Sequence, residues 1–246
     1  MAELAIIGGT GLTALDGLDV VRREDCDTPY GRASGPLTHG VLGGKEVIFL
    51  ARHGYSHTIP PHKINYRANI WALHSAGVKK IVAVAAVGGI HRRLKAAQLV
   101  IPDQLIDYTW GRASTFFEDD LAEVTHIDFT DPYSENLRQL LMSSCESLAI
   151  NAEEQGVYGA TQGPRLETAA EIARMERDGC TLVGMTGMPE AALARELGLE
   201  YVCCAVIANM AAGKSDGEIS MQEIERNVLR GVHDVRRLLA NLIFRI

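Results

Sequence analysis

Residues 181–213, TLVGMTGMPEAALARELGLEYVCCAVIANMAAG, decide the fold class of this chain. Two short apolar runs, TLVGM and EYVCCAVIA, enclose the helical pattern PEAALARELG. Such an alternation is typical of parallel strands joined by a crossover helix, and therefore predicts an α/β protein. Ligands of open α/β sheets bind just beyond the carboxyl ends of the strands. Thr186 and Asn209, the polar residues at the ends of the two runs, are therefore predicted to face a ligand.

The alternation continues on both sides of this stretch. Strands are predicted at Leu4–Ile7 and in KEVIFLARHG, KKIVAVAAVGGI, LVIPDQLIDYT and GVYGATQG, with a hairpin region over residues 16–50. Helices are predicted over residues 65–76, 134–149, 169–178 and from about 220 to 246. Thr168 and Glu171 have the spacing of a capping box. Residues 110–133 lack periodicity and form a long excursion, of the kind that carries function or an oligomer contact.

Composition excludes several classes of protein. The chain has 246 residues, is 47% hydrophobic and carries a formal net charge of −7, so it is not expected to bind nucleic acid or a membrane surface in general. No apolar stretch is long enough to span a membrane, and MAELAIIGG does not resemble a signal peptide. The five cysteines show no C-x-x-C and are expected to be core thiols, which favours a cytoplasmic location. One domain over residues 1–246 is the simplest division.

Glycine-rich exits follow three of the predicted strands, at residues 8–11, 88–89 and 163, and together indicate one pocket. Residues 9–14 match the dinucleotide pattern G-x-G-x-x-A, but the residues that follow are too short and glycine-broken for its crossover helix. Two readings stay open: an anion-binding loop that uses backbone N–H groups and Thr10, and a tight turn without a ligand. Arg52 and His53 end a strand, where they would suit a phosphate or form an ordinary surface pair.

Metal and nucleophile chemistry find no support in the spacing of residues. The histidines and cysteines do not have metal-ligand spacing, and the chain has no G-x-S-x-G nucleophile elbow. An enzyme of this composition would act by positioning and electrostatics.

Five motifs carry a family resemblance. IIGGTGL, LARHG, HKINYRANIWAL, GPRLET and MTGMPEAALARELGLEY, in this order over nearly the whole chain, resemble the trimeric purine nucleoside phosphorylase and 5′-methylthioadenosine phosphorylase family. The resemblance implies a single α/β domain with a central, mixed, partly barrel-like sheet flanked by helices, assembled as a homotrimer. It implies cleavage of a purine nucleoside by inorganic phosphate, a co-substrate, with no metal or organic cofactor.

The resemblance also assigns residues to the site. Phosphate would be held by Thr10, Arg52, His53, the backbone of Ala86, and Thr186. The nucleoside would be held by Leu166, Glu167, Met185, Asn209, Ala211 and Met221, and by His126, which resembles a residue given to the neighbouring subunit. Asn209 and His53 would be catalytic. The chain departs from the family pattern at Ala85, where relatives place Thr or Asn, so one side-chain contact to phosphate or ribose is missing.

A second departure predicts the base. Asn209-Met210-Ala211 stands where methylthioadenosine phosphorylases carry D-x-D. Glu167 can accept the N1–H of a 6-oxopurine, and the Asn209 amide can donate to N7 or O6. Residues 218–221, EISM, lack the histidine that inosine phosphorylases offer to a 5′-hydroxyl, and the apolar Met221 suits a methylthio group.

S-methyl-5′-thioinosine is therefore the expected substrate. A general 6-oxopurine phosphorylase acting on inosine and guanosine, a methylthioadenosine phosphorylase, and a nucleoside-binding protein without turnover are the alternatives.

Overall fold

The computed structural model describes residues 2–119, 121–215, 217 and 219–246; Glu218, at the start of the EISM stretch, lies outside the described residues. The strands are β1 (Leu4–Gly8), β2 (Asp19–Glu24), β3 (Asp27–Thr28), β4 (Gly31–Arg32), β5 (Leu37–Leu42), β6 (Lys45–Ala51), β7 (Lys80–Gly89), β8 (Leu99–Val100), β9 (Gln104–Asp107), β10 (Ala152–Glu153), β11 (Val157–Ala160), β12 (Leu182–Gly184) and β13 (Glu200–Met210). The helices are α1 (Tyr66–Ser75), α2 (Glu135–Ser147), α3 (Ala169–Arg177), α4 (Gly187–Glu196) and α5 (Met221–Leu242), with a 3₁₀ turn at Pro61–Lys63.

One mixed sheet organises the molecule. Among the described residues it has eleven strands, of which eight follow the order β10-β8-β13-β7-β1-β6-β5-β2. The centre, β13-β7-β1-β6, is parallel, whereas β5 and β2 continue it in antiparallel pairs. Strand β7 leaves β1 after Ala83 and then pairs with β12 at Gly88 and Gly89, so that a second row, β12-β11-β9, curls away from the first. The predicted α/β fold with a mixed, partly barrel-like sheet is confirmed.

The prediction that the two apolar runs in residues 181–213 form parallel strands is wrong. Strand β13 runs parallel to β7, but β12 pairs with the end of β7 in the antiparallel sense, so β12 and β13 are not parallel neighbours. The reason is that the sheet curls at Gly88. Strand β12 belongs to the second row, β12-β11-β9, and not to the parallel centre of the sheet. The carboxyl ends of both strands nevertheless open on the same cavity, as shown below.

A second correction concerns LVIPDQLIDYT, which was predicted as one strand. It forms β8 and β9, which pair with different partners: β8 with β13 and β10, and β9 with β11. Pro102 lies between them, and a proline cannot donate a ladder hydrogen bond, so the strand breaks there.

Side chains on the two faces of the sheet form two hydrophobic clusters. Cys203 belongs to one and Cys204 to the other, as expected for neighbours on a strand, and both are buried and free. Helix α5 has the strongly amphipathic pattern of a helix that packs one face on a sheet, and it buries Val228, Val232 and Val235 in the second cluster.

Helix α3 begins with the predicted capping box. The Thr168 hydroxyl accepts from the Glu171 N–H, and the Glu171 carboxylate accepts from the Thr168 N–H. These bonds fix the start of α3 directly after the GPRLET segment, which enters the site. Across the described parts of the chain, no helix combines the length and the apolar character that crossing a membrane requires.

Candidate active site

A cavity of about 300 Å³ opens at the carboxyl ends of β1, β6, β7, β12 and β13. It brings together every residue assigned to the site from the sequence except His126. The assigned residues that line it are Thr10, Arg52, His53, Ala86, Leu166, Glu167, Met185, Thr186, Asn209, Ala211 and Met221. A position beyond the carboxyl ends of strands is where α/β sheets bind ligands.

A wider groove of about 790 Å³ lies at the opposite end of β13, around Glu200. None of the assigned residues lines it. Its polar side chains bind one another and the backbone: Ser134 donates to Glu200, and Arg138 donates to the carbonyls of Pro102 and Glu154. The smaller cavity is therefore the candidate site.

The glycine loop after β1 lies against Arg52. A Cβ on Gly9 would stand 2.6 Å from the Val84 carbonyl oxygen and 3.0 Å from Nη1 of Arg52, so only glycine fits at this position. The Leu12 N–H donates to the Gly9 carbonyl at 3.0 Å and closes a tight turn. The next element is strand β2, so the crossover helix that the dinucleotide reading requires is not formed there.

Arg52 is held by a carboxylate that the sequence did not bring into the site. Its Nε and Nη2 each donate to Glu190 at 2.7 Å, and its Nη1 donates to the Val84 carbonyl at 2.8 Å. Arg52 is 1% exposed and Glu190 is fully buried. Burial alone would lower the pKa of Arg52, but the Glu190 carboxylate outweighs it and the pKa rises above its ordinary value. Of the five N–H groups, one on Nη1 and one on Nη2 remain for a phosphate.

His53 is fixed in one tautomer. Its Nδ1 lies 2.8 Å from the Ile59 carbonyl oxygen, and since a carbonyl only accepts, Nδ1 carries the hydrogen. The pKa of His53 is lowered to about 4, mainly by burial; the hydrogen bond to Ile59 opposes this shift, and the positive charge of Arg52 adds to it. His53 is therefore neutral at physiological pH.

His57 also lines the cavity, which the sequence did not predict. Its ring lies 4.6 Å from the ring of His53, centre to centre, and its Nε2 is 3.5 Å from the Thr10 hydroxyl oxygen. Desolvation lowers the pKa of His57 as well.

Thr186 precedes α4 as its N-cap but makes no capping bond with its side chain. Thr186 itself lines the cavity. With Thr10, Arg52 and His53, it defines the polar end of the cavity, which we call the anion end.

The other end, which we call the base end, is lined by Glu167 and Asn209. The Thr161 hydroxyl donates to Oε1 of Glu167 at 2.6 Å and fixes that carboxylate. The Asn209 amide nitrogen donates to the Met210 carbonyl at 2.7 Å, which leaves its second N–H for a ligand.

A β-bulge sets the position of Asn209. Ile207 pairs with Val87 and Asn209 with Gly88, so Ala208 is the extra residue. Asn227, a buried residue of α5, donates to the Ala208 carbonyl at 2.9 Å and satisfies a group that the bulge takes out of the regular ladder.

His126 is exposed and does not line the cavity. It lies in the excursion, whose described residues, 110–119 and 121–133, form neither helix nor strand.

Arg112 ties this excursion to the site. It donates to the carbonyls of Met185 and Met188 at one side and to those of Thr161 and Gln162 at the other. Its guanidinium also lies over the ring of Tyr66, 5.4 Å from the centroid.

Sequence reasoning missed Glu190, Arg112, Thr161, His57 and Asn227. Of these, only Glu190 could have been suspected from the sequence, because it is an acidic residue in an otherwise apolar helix start. Among the described residues, no group of three or more His, Cys, Asp or Glu is placed to hold a metal ion.

Comparison with known proteins defines the class. The model of the phosphorylase superfamily matches residues 3–243, and the chain belongs to that family. The Pseudomonas syringae pv. tomato protein named "Probable S-methyl-5'-thioinosine phosphorylase" is 56% identical over 99% of both chains. The 6-oxopurine nucleoside phosphorylase of Pyrococcus furiosus is 42% identical, covering 97% of this chain and 91% of its own.

A solved structure agrees with this class. Methylthioadenosine phosphorylase from Schistosoma mansoni, in complex with adenine, superposes with a TM-score of 0.95 at 29% identity, covering 100% of this chain and 92% of its own. The family that the motifs predicted is therefore confirmed.

Proposed function

We propose that this protein cleaves S-methyl-5′-thioinosine with inorganic phosphate to give hypoxanthine and 5-methylthioribose 1-phosphate, a step of purine salvage. The relative from Pseudomonas syringae supports this substrate by its name. The observation that carries the proposal is the combination of an oxopurine set of polar groups at the base end with an apolar rim beside it.

The base end fits a 6-oxopurine. Thr161 donates to one oxygen of Glu167, so the carboxylate presents acceptors to the cavity and can receive the N1–H of hypoxanthine. Asn209 donates to N7 or O6. Adenine instead presents an unprotonated N1, which is an acceptor, to the Glu167 carboxylate, which can also only accept. Mismatched polar groups in a buried site cost several orders of magnitude in discrimination.

The apolar rim fits a methylthio group. Ile219, Met221 and Ile224 line the cavity at the start of α5. Among the described lining residues, the histidines are His53 and His57, and both lie at the anion end. A 5′-hydroxyl would therefore find no imidazole at this rim, whereas a thioether packs well against methionine.

The reaction follows from these positions. The bond between C1′ and the purine nitrogen breaks early, and its electron pair stays with the base, whose negative charge Asn209 stabilises. Phosphate is held by Arg52, Thr10, Thr186 and the Ala86 backbone, and its P–OH donates to the Nε2 of neutral His53. It stabilises the ribosyl cation and then forms the new C1′–O bond. Met185 and Leu166 hold the sugar and base in line, and the departing base takes a proton from solvent. Alignment and preorganised contacts supply most of the rate.

The active unit is a homotrimer in this proposal. Leu166 and Met221 are large apolar residues at the cavity that remain 42% and 69% exposed in one chain, as expected for a site that a neighbour covers. His126 is exposed on the excursion, where it can reach that neighbour. Residues 1–246 act as one nucleoside phosphorylase domain, in the cytoplasm, with nucleoside and phosphate as small-molecule partners and no cofactor.

A general 6-oxopurine nucleoside phosphorylase is the second candidate. The 42% identical relative from Pyrococcus furiosus favours it, because the base end would serve inosine and guanosine equally well.

Initial rates of base release decide between the candidates. Methylthioinosine, inosine, guanosine and methylthioadenosine are compared with and without phosphate. We expect methylthioinosine to lead by tenfold or more, and only with phosphate. A lead for inosine would transfer the proposal to the second candidate, and a lead for methylthioadenosine would overturn the assignment of the base end. Tight nucleoside binding without phosphate-dependent release would indicate a binding protein.

A further inference from the structure

The anion end has little net charge to offer to a phosphate. The charged and titratable side chains among the described lining residues are Arg52, His53, His57 and Glu167. The charge of Arg52 is balanced by Glu190 directly behind it, through two bonds of 2.7 Å. Glu167, at the base end, is negative. A phosphate dianion would therefore enter a site without net positive charge, which is costly for a partly desolvated anion.

A proton taken up by a nearby imidazole would remove most of that cost, and the two histidines differ in their ability to accept one. The Nδ1–H of His53 is already donated to Ile59, and the residue is only 8% exposed. His53 also directly follows Arg52, so a second proton on its ring would lie close to an existing cation. His57 is exposed at the rim of the cavity, where protons reach it from solvent.

His57 combines an uncommon backbone conformation with a side chain beside the anion end. The residue has a φ of 51°, in the left-handed region that few residues other than glycine adopt. Its N–H donates to the Gly54 carbonyl, and its Nε2 stands 3.5 Å from the hydroxyl of Thr10, a residue of the anion end. Such backbone positions persist where the surrounding structure enforces them, often at functional sites.

We propose that His57 is a further ligand of the bound phosphate and that it takes up one proton when the anion binds. This rests on the proposed function, since it deepens the anion end of the same site. The dianion favours the charged form of an imidazole a few ångströms away, and the imidazolium then donates a charge-assisted hydrogen bond to a phosphate oxygen. The anion end thus gains a positive charge that Arg52, paired with Glu190, does not supply.

Sulfate is the probe that separates protein protonation from anion protonation. It carries two charges like the phosphate dianion but has no titratable proton near neutral pH. Sulfate is titrated calorimetrically into the intact protein at pH 7.5, in buffers of different ionisation enthalpy. We expect uptake of roughly 0.5 to 1 proton per bound sulfate. Its affinity should also fall as pH rises from 6.5 to 8, approaching tenfold per pH unit.

The matched variants are His57→Asn and His233→Asn. Asparagine tolerates the left-handed backbone and keeps a hydrogen-bond donor, so His57→Asn should bind sulfate with almost no proton uptake and a flat pH dependence. His233 is exposed on α5 outside the cavity, and its variant should match the wild type.

Four results would overturn the inference, and three of them leave the proposed function standing. The first is sulfate binding without proton uptake in the wild type, and the second is unchanged uptake in His57→Asn. The third is phosphate binding without sulfate binding, which would place the proton on the anion. If neither anion binds, the phosphate site of the proposed function fails together with this inference. The wild-type measurement decides even if His57→Asn does not fold.

Discussion

Single side chains carry the selectivity of the proposed site. Glu167 and Asn209 face the base, yet each is held by a different local contact: the Thr161 hydroxyl for Glu167 and the Met210 carbonyl for Asn209. Since both contacts lie within the chain, the oxopurine set exists before the substrate arrives. Preorganisation of this kind is what makes a polar group effective in a transition state.

Asn209→Ala should lower kcat/KM for methylthioinosine by a factor that corresponds to about 2–4 kcal/mol of lost transition-state stabilisation. The reason is that the negative charge on the leaving purine loses its hydrogen-bond donor. Steady-state kinetics measure the effect, and Asn151→Ala, at an exposed position that does not line the cavity, serves as the control. A loss smaller than tenfold would remove Asn209 from the proposed role.

Thr161→Val should lower activity on the same substrate, because it removes the hydrogen-bond partner of Glu167. Valine keeps the shape of threonine but cannot donate, and a hydrogen bond to a charged group contributes about 1.5–3 kcal/mol. We expect kcat/KM to fall at least tenfold, while Thr161→Ser retains most of the activity. Equal activity of the valine and serine variants would mean that Glu167 needs no partner.

His53 should make the protein less stable in mild acid. Its pKa is about 4 in the folded chain against an ordinary value of 6.5, so the unfolded state binds more protons between these values. The contribution of neutral His53 to the free energy of unfolding is fully present above pH 6.5. As pH falls toward 4, this contribution is lost, by up to about 3 kcal/mol. Urea unfolding at pH 7 and pH 4.5 should show a smaller pH-dependent loss in His53→Gln than in the wild type, and equal losses would contradict this account.

At the scale of elements, the bulge in β13 links the last helix to the site. Ala208 is the extra residue, and Asn227 of α5 satisfies its carbonyl, next to Asn209. The helix that supplies the apolar rim therefore also supports the strand end that carries the proposed catalytic amide. A substitution on α5 can therefore affect the base end even where the substituted residue does not line the cavity.

Asn227→Leu tests this link. The substitution leaves the buried Ala208 carbonyl without its partner and should cost about 1–3 kcal/mol of unfolding free energy. Activity on methylthioinosine should fall as well, because the bulge no longer fixes Asn209. Glu225→Leu, at an exposed position of the same helix, should change stability by no more than about 0.5 kcal/mol. Full activity in a destabilised Asn227→Leu would separate the helix from the site.

Local signals in the sequence were sufficient for some elements and not for others. The capping box of α3 depends on residues three apart, and the sequence predicted it correctly. The direction of β12 depends on where β7 turns away from β1, a non-local event that periodicity does not report. In the site, residues at strand ends could be named from the chain alone. Glu190 could not, because it meets Arg52 across 138 positions.

At the scale of the whole molecule, the proposed homotrimer would complete the site with a second copy of the chain. One chain leaves Leu166 and Met221 exposed at the cavity, and His126 lies outside it. Arg112 anchors the excursion that carries His126 to the carbonyls of Met185 and Thr161. In the proposed trimer, the same excursion would support its own site and complete the next one.

Mixing inactive variants tests this arrangement. Light scattering should give three times the mass of one chain, as expected for a closed cyclic assembly. A trimer assembled from His126→Ala and Asn209→Ala chains should recover activity, because some sites combine an intact cavity with an intact His126. Activity that never exceeds that of the separate variants, or a fully active monomer, would reject the shared site.

The buried pair of Arg52 and Glu190 also bears on how the catalytic cycle ends. The sugar phosphate product carries two negative charges, and an unbalanced buried guanidinium would retain it strongly. Product release limits turnover in many enzymes. Because Glu190 already shares the charge of Arg52, the arginine keeps a charged partner when the product leaves. We therefore expect one anion to exchange rapidly for the next at this site.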